Sequence, residues 1–143
     1  MIVFSNEWAD ALKVSINENV AYKEAAAKWN DGLLLVLGKD KKVNAADNPA
    51  IYLDLQHGDC LAARIANEAD FETAAYILVA NTKNWESILE GKVAPLSAIM
   101  RGKLKLAKGS MATLARYVNA AKEIVVSAQS LDSEIPQQFF DDF

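Results

Sequence analysis

The sequence predicts an α+β fold in which helices cover a single five-stranded sheet. Apolar residues repeat at helical spacing near both ends of the chain, over residues 6–29 and from residue 111 onward. Between these regions, short apolar runs and alternating apolar and polar residues indicate strands. With 143 residues, 52% of them hydrophobic, the chain fits one domain with a sizeable core. We expect a single domain over residues 1–143, with residues 131–143 as a C-terminal tail.

The first helix is predicted from Ser5 to about Trp29. Serine is a favoured N-cap residue because its side chain accepts a hydrogen bond from a free backbone N–H. The apolar residues of this segment recur at every fourth position: Trp8, Leu12, Ile16 and Val20. The Asn-Asp-Gly sequence at residues 30–32 favours a helix end, since asparagine and glycine tolerate the left-handed conformation found there.

Four strands are predicted in the first half of the chain. The continuous apolar run Leu33–Leu37 suits a strand that is buried on both faces, at the sheet centre. Residues 51–56 and 60–66 alternate and are joined by His57-Gly58-Asp59, so we expect an antiparallel hairpin with Leu61, Ala63 and Ile65 facing inward. The alternation over residues 71–79 predicts a fourth strand.

The second half is predicted to add helices and one more strand. A helix over residues 81–90 ends at Gly91, and Pro95 begins another short helical segment. In the strand over residues 102–108, Lys103 and Lys105 face outward, which protects a sheet edge or could meet ligand head groups. Ser110 caps a long amphipathic helix with an apolar stripe. The stripe comprises Met111, Leu114, Val118, Ala121, Val125 and Ala128.

The tail contains several apolar side chains beyond Pro136, which should break the preceding helix. Phe139, Phe140 and Phe143 would be costly to expose. We hypothesise that the tail folds back over the apolar mouth between the last helix and the sheet and acts as a lid or, in the empty protein, as a ligand mimic. The alternatives are that it completes the core or packs on a neighbouring subunit.

Composition and motifs exclude several classes of function. A net charge of −4 and no basic run argue against a nucleic-acid partner. The single cysteine, Cys60, cannot form an internal disulfide, and no secretion-signal profile or membrane-length apolar stretch is evident, so we expect a cytoplasmic protein. His57, the only histidine, falls in a predicted surface turn, and Asp54 and Asp59 do not make a metal site by themselves. We therefore predict no catalytic residue, no metal and no cofactor.

Residues 85–111 carry a distinctive pattern. Its residues are Leu89, Gly91, Lys92, Pro95, Ala98, Met100, Gly102, Lys103, Leu104, Lys105, Leu106 and Gly109. In this pattern the chain resembles the sterol carrier protein 2 (SCP-2) sterol-transfer family. The resemblance implies a mostly antiparallel five-stranded sheet covered by helices, with an apolar cavity that takes a sterol, fatty acid or acyl-CoA. It implies binding, and transfer, without catalysis.

The resemblance also indicates which side chains could contact a lipid-like ligand. We expect these to be Leu35, Phe71, Ile77, Trp85, Ile88, Leu89, Met100, Leu104, Leu114 and Val118. A packed core would use the same inward-facing residues, so the sequence alone does not separate a filled core from a cavity. The alternative function is a protein-interaction or substrate-presenting subunit that serves an enzyme in trans. Transient membrane contact and a homodimer remain open as further partnerships.

Overall fold

The computed structural model describes residues 1–143 and contains eight helices and five strands. The helices are α1 (Asn6–Glu18), α2 (Val20–Ala25), α3 (Glu68–Thr73), α4 (Thr82–Leu89), α5 (Pro95–Met100), α6 (Met111–Arg116), α7 (Val118–Gln129) and α8 (Gln137–Asp142). The strands are β1 (Asn30–Leu37), β2 (Ala50–Gln56), β3 (Asp59–Ile65), β4 (Tyr76–Ala80) and β5 (Lys105–Lys108). No helix is long and apolar enough to cross a membrane.

The strands form one sheet in the order β3-β2-β1-β4-β5. Strand β1 is central, as its continuous apolar run predicts, and residues Leu33–Leu37 are all buried. It pairs antiparallel with β2 and parallel with β4, and the β2–β3 and β4–β5 pairs are antiparallel. The predicted mostly antiparallel five-stranded sheet is therefore confirmed, and the lysine-bearing strand β5 lies at an edge.

Alternation along β1 sends its side chains into two separate apolar clusters. Leu33, Leu35 and Leu37 belong to a 29-residue core between the sheet and helices α1, α2 and α4–α7. Leu34 and Val36 point to the other face, into an eight-residue cluster that helix α3 and the β1–β2 loop cover. Because only the first face carries a multi-helix layer, it is the face on which an enclosed apolar site can form.

The predicted strand over residues 71–79 is wrong in its first half. Residues 68–73 form helix α3, and β4 begins only at Tyr76. A capping box starts the helix: the Asn67 side chain accepts a hydrogen bond from the Asp70 N–H (3.0 Å), and the Asp70 carboxylate accepts one from the Asn67 N–H (2.8 Å). These two bonds satisfy donors that a helix start leaves free, so a helix forms despite the alternating pattern.

The two long predicted helices are each interrupted. Asn19 adopts an extended conformation between α1 and α2, and its side chain caps α2 by accepting a hydrogen bond from the Tyr22 N–H (3.0 Å). Tyr117 separates α6 from α7 farther along the chain, without a side-chain capping bond. At Asn19, a polar residue that can cap a new helix ends the old one even though the apolar period continues.

The inward direction predicted for Leu61 is also wrong. Asp54 pairs with Ala62 and Leu55 pairs with Cys60, so Leu61 is the extra residue of a β-bulge. The bulge puts Cys60 and Ala63 on the core face and leaves Leu61 55% exposed. Ile65 pairs with the core residue Ile51 and therefore faces the predicted side, although it is 46% exposed at the end of this edge strand.

Candidate functional site

A wholly apolar pocket lies between the sheet and helices α4, α5 and α7. Its walls are Phe4, Trp8, Leu33, Leu35, Leu78, Trp85, Leu89, Pro95, Leu104, Ala121, Ile124, Val125 and Ala128. Strands β1 and β4 supply one side because their side chains alternate toward the large core, and α7 supplies the other through its apolar stripe. No lining residue carries a charged, hydroxyl or amide side chain, so the pocket favours apolar contact over hydrogen bonding.

The two tryptophans at the pocket donate their indole N–H hydrogen bonds to atoms outside it. The Trp85 Nε1–H donates to the Val36 carbonyl (2.8 Å), which ties α4 to the central strand. The Trp8 Nε1–H donates to Ser133 Oγ (2.9 Å). Phe4 contacts both indoles, with its ring centroid 5.5 Å from that of Trp8 and 5.9 Å from that of Trp85. The three aromatic residues therefore present ring surface to the pocket, because their polar atoms are already satisfied.

The pocket is narrow. Its cavity volume is about 30 Å³, whereas sites for drug-sized ligands measure roughly 300–1,000 Å³. A second pocket of about 10 Å³ adjoins it, sharing Leu78, Pro95 and Ala121. Together they form one apolar seam between the sheet and the helices. An acyl chain could enter this seam only if a wall moved outward.

Helix α5 is a short wall of the seam without a side-chain cap. It has six residues, and its N-cap, Ala94, makes no side-chain capping bond. Its C-terminal end is fastened, since the Ala98 carbonyl accepts hydrogen bonds from the N–H groups of Lys103 (2.8 Å) and Leu104 (3.1 Å). Leu96 and Ile99 are only half-buried. Short segments with few buried contacts open at low free energy, so α5 is suited to move.

Most of the residues expected from sequence to contact a ligand lie along this seam. Leu35, Trp85, Leu89 and Leu104 line the main pocket, and Leu114 and Val118 line the adjoining one. Ile88 is fully buried in the same core without lining either pocket.

Three of the expected residues lie elsewhere. Phe71 and Ile77 belong to the cluster on the opposite face of the sheet. Phe71 is there because residues 68–73 fold as helix α3, and Ile77 because β4 alternates with Leu78 toward the pocket. Met100, at the end of α5, is 77% exposed and is therefore a surface residue rather than part of the pocket wall.

Several lining residues were not among those expected. Leu33 and Leu78 could have been found from the alternation of β1 and β4, and Ala121, Val125 and Ala128 from the stripe of the last helix. No such pattern in the sequence predicted that Phe4 lines the pocket. Phe4 precedes the first helix with a φ of +61°, an uncommon turn conformation for a residue other than glycine, and this turn directs the chain back against Trp8.

The two residues with nucleophile or base chemistry remain outside the pocket. Burial raises the pKa of the Cys60 thiol to about 11, so the thiol stays protonated near neutral pH. His57 lies in the exposed β2–β3 turn, with Nδ1 3.2 Å from the carbonyl of Ala27. No group of three His, Cys, Asp or Glu side chains converges as a metal site.

The fold and the apolar seam define a class of α+β domain suited to hold apolar molecules, and comparison with known proteins identifies its family. The model of the SCP-2 sterol transfer family matches residues 10–122. This chain belongs to the SCP-2 sterol transfer family. Its general functional class is therefore lipid binding or transfer.

Several solved structures are similar to this chain, and three of them illustrate the range of identity. A crystal structure of sterol carrier protein 2 is 39% identical, with 90% of this chain and 98% of that chain covered and a TM-score of 0.79. A solution structure of a conserved hypothetical protein from Thermus thermophilus, described as possibly a sterol carrier protein, is also 39% identical (94% and 92% covered, TM-score 0.79). Sterol carrier protein 2 from Yarrowia lipolytica is 22% identical (85% and 89% covered, TM-score 0.56) and shows the fold alone. The comparison with curated proteins gives no match.

Proposed function

We propose that this protein binds a fatty acid, acyl-CoA or sterol in the apolar seam between the sheet and helices α4, α5 and α7, and transfers it without catalysing a reaction. The observation that supports this is a lining made only of apolar side chains, with both tryptophan N–H groups bonded elsewhere. Moving an apolar chain from water into such surroundings gains about 0.8 kcal/mol per CH₂ group.

The small volume of the seam sets the mode of binding that we propose. A ligand displaces α5 outward and takes the place of side-chain contacts between the sheet and α7. Since no polar group inside fixes the ligand's orientation, chains of related length and shape should bind with similar affinity. We expect low-micromolar binding, and we propose that it takes place in the cytoplasm.

The three tryptophans allow a direct test. Trp8 and Trp85 line the pocket, whereas Trp29 does not and instead stacks on Tyr117 with a centroid distance of 5.5 Å. A brominated fatty acid quenches tryptophan fluorescence only at short range. We expect saturable quenching that persists in Trp29→Phe and is reduced in Trp85→Phe.

A filling variant provides a second, independent readout. Ala121 lines both parts of the seam, so Ala121→Leu should occupy ligand space and abolish quenching while the protein stays folded. Ala115→Leu, at an exposed position of α6, is the matched control. Absence of quenching in the wild-type protein, or quenching of Trp29 alone, would overturn the proposal and favour a subunit that interacts with an enzyme in trans.

A further inference from the structure

We propose that the protein docks on anionic lipid membranes through one surface at the outer ends of α5 and β5. We call it the basic–methionine surface, and it comprises Met100, Met111, Lys41, Arg101, Lys103 and Lys105. The inference rests on the proposed function, because it supplies the route by which a lipid would pass between a bilayer and the seam.

The charge distribution along the chain favours this surface. Residues 91–122 contain seven of the 15 lysines and arginines and none of the 19 acidic residues, although the protein has a net charge of −4. The remaining residues are therefore strongly acidic. Three of those seven cations, Arg101, Lys103 and Lys105, belong to the basic–methionine surface, so an anionic bilayer would attract this acidic protein there.

None of the cations of this surface forms an ion pair with a carboxylate. The ion pairs in the structure involve Lys23, Arg64 and Lys92 only. Lys105 Nζ donates to a backbone carbonyl, that of Lys39 (3.1 Å), which also brings the lysine-bearing β1–β2 loop against β5. The nearest acid along that loop, Asp40, accepts a hydrogen bond from the Lys42 N–H (2.7 Å) and forms no ion pair with a cation of this surface. The positive charge is thus available to lipid phosphates.

Exposed methionines lie among these cations. Met100 is 77% exposed and Met111 39%. Lys41, Lys105 and Met111 line one open groove together with Ile99 and Leu106. Flexible apolar side chains surrounded by lysine and arginine suit the boundary between lipid head groups and acyl chains, where the chains bury the apolar part and the phosphates meet the cations.

Two other exposed apolar side chains lie near acidic residues instead. Val20, which is 66% exposed, has Glu18 and Glu24 close in the same region of the chain. Leu61 lies on the β3 edge beside Asp59. An anionic bilayer would repel both places, whereas it would attract the basic–methionine surface.

The surface also leads to the interior. Ile99 lines both the open groove and the smaller apolar pocket, and Leu104 lines both the groove and the main pocket. Apolar side chains therefore continue from the methionines, past α5, into the seam. A lipid leaving a bilayer at this surface could enter without its acyl chain crossing water.

Vesicle co-sedimentation tests the docking surface. We expect binding to phosphatidylcholine vesicles that contain phosphatidylglycerol, little binding to phosphatidylcholine alone, and weakening by salt. Arg101→Glu/Lys103→Glu should reduce the affinity for anionic vesicles by about tenfold or more. Lys13→Glu/Lys28→Glu makes the same change in net charge on the α1–α2 side and is the matched control. A double variant of the surface that binds as well as the wild type would overturn the inference.

A fluorescent label tests the orientation. Met100→Cys can be labelled selectively with an environment-sensitive fluorophore, because Cys60 is 2% exposed and burial raises its pKa to about 11. We expect a blue shift on anionic vesicles, and no shift for the same label at Val20→Cys. A shift at position 20 but not at position 100 would overturn the proposed surface.

The quenching assay in vesicle-free solution separates the two proposals. Fatty-acid quenching without charge-dependent vesicle binding would overturn the docking surface and leave the proposed function in place. Vesicle binding that requires Arg101 and Lys103, without any quenching, would support the docking surface and overturn the proposed function.

Discussion

Single residues decide where this fold departs from its hydrophobic pattern. Asn67 and Asp70 begin a helix where alternating residues predicted a strand, and Asn19 divides a helix whose apolar spacing continues. Both effects come from polar side chains that bond to nearby backbone N–H groups, so a reading of apolar period alone misses them. This capping box is visible in the sequence, and it would have predicted helix α3 in place of the first half of the strand.

Asp70 gives a prediction about pH. It is 6% exposed, and its pKa is lowered chiefly by hydrogen bonds from Arg64, including one of 2.9 Å from Nη2, with the Asn67 N–H adding to the effect. Because folding lowers this pKa, the ionised Asp70 carboxylate stabilises the folded protein. This contribution to the free energy of unfolding is fully present above the ordinary aspartate pKa of 3.8 and is lost as the pH falls through the pKa of the folded state. We expect Asp70→Asn to lower the free energy of unfolding by about 1–3 kcal/mol at pH 7.

Urea unfolding at a series of pH values measures this effect. The difference between the wild type and Asp70→Asn should shrink below about pH 4. Asp59→Asn is the control, since Asp59 pairs with Lys23 at 2.7 Å but both side chains are exposed, and it should cost less than about 1 kcal/mol. A difference that stays constant down to low pH would contradict the assigned role of the carboxylate.

At the scale of elements, the central part of the fold could be predicted and the site only in part. A continuous apolar run places β1 at the sheet centre, and alternation places β2 and the start of the hairpin, because burial on one or two faces leaves a direct mark on the sequence. Met100 shows the limit. Its position in a family motif suggested the pocket wall, yet the last turn of α5 points it to solvent, where Met100→Ala should be nearly neutral rather than cost the roughly 2–5 kcal/mol of a core methionine.

The C-terminal tail forms an element that the sequence did not predict as a helix. Helix α8 is fastened to the start of α4, where Thr82 Oγ1 donates to the Phe139 carbonyl (2.6 Å) and the Thr82 N–H to the Phe143 carbonyl (3.3 Å). Phe139 and Phe143 pack against the large core near Phe4. Helix α8 lines neither part of the seam, so this packing supports the role of completing the core rather than that of a lid.

Deleting residues 137–143 should therefore reduce stability without opening the seam. We expect a loss of about 1–3 kcal/mol, because the two rings are only partly buried. Thermal unfolding measures the loss, and stopped-flow quenching with the brominated fatty acid measures ligand exchange. Faster exchange in a truncated monomer that remains folded would instead support a lid, and dissociation of an oligomer would indicate packing between subunits.

For the whole molecule, the two layers on the pocket face differ in how firmly they are held. The sheet is fixed by backbone ladders, and α4 is tied to it by Trp85, whereas α5 is a short uncapped helix over the seam. On the proposed mode of binding, a ligand larger than the 30 Å³ pocket separates α5 from the sheet while the strands keep their register. The firmly held sheet would then provide a stable scaffold, while movement of α5 would adjust the site to the ligand.

Hydrogen exchange gives the last prediction, since it reports the two layers separately. Saturation with a fatty acid at about a hundred times its Kd should raise the free energy of global unfolding by about 2.7 kcal/mol. Hydrogen exchange at the amides of β1 and β4 requires global unfolding, so its rate should fall by the factor that corresponds to this increase. Hydrogen exchange at the amides of α5 should slow far less. Ligand binding replaces the contacts of this helix with the core by contacts with the ligand, so the helix still opens locally. Equal slowing in α5 and β1 would mean that the ligand binds a rigid site, contrary to the displacement of α5.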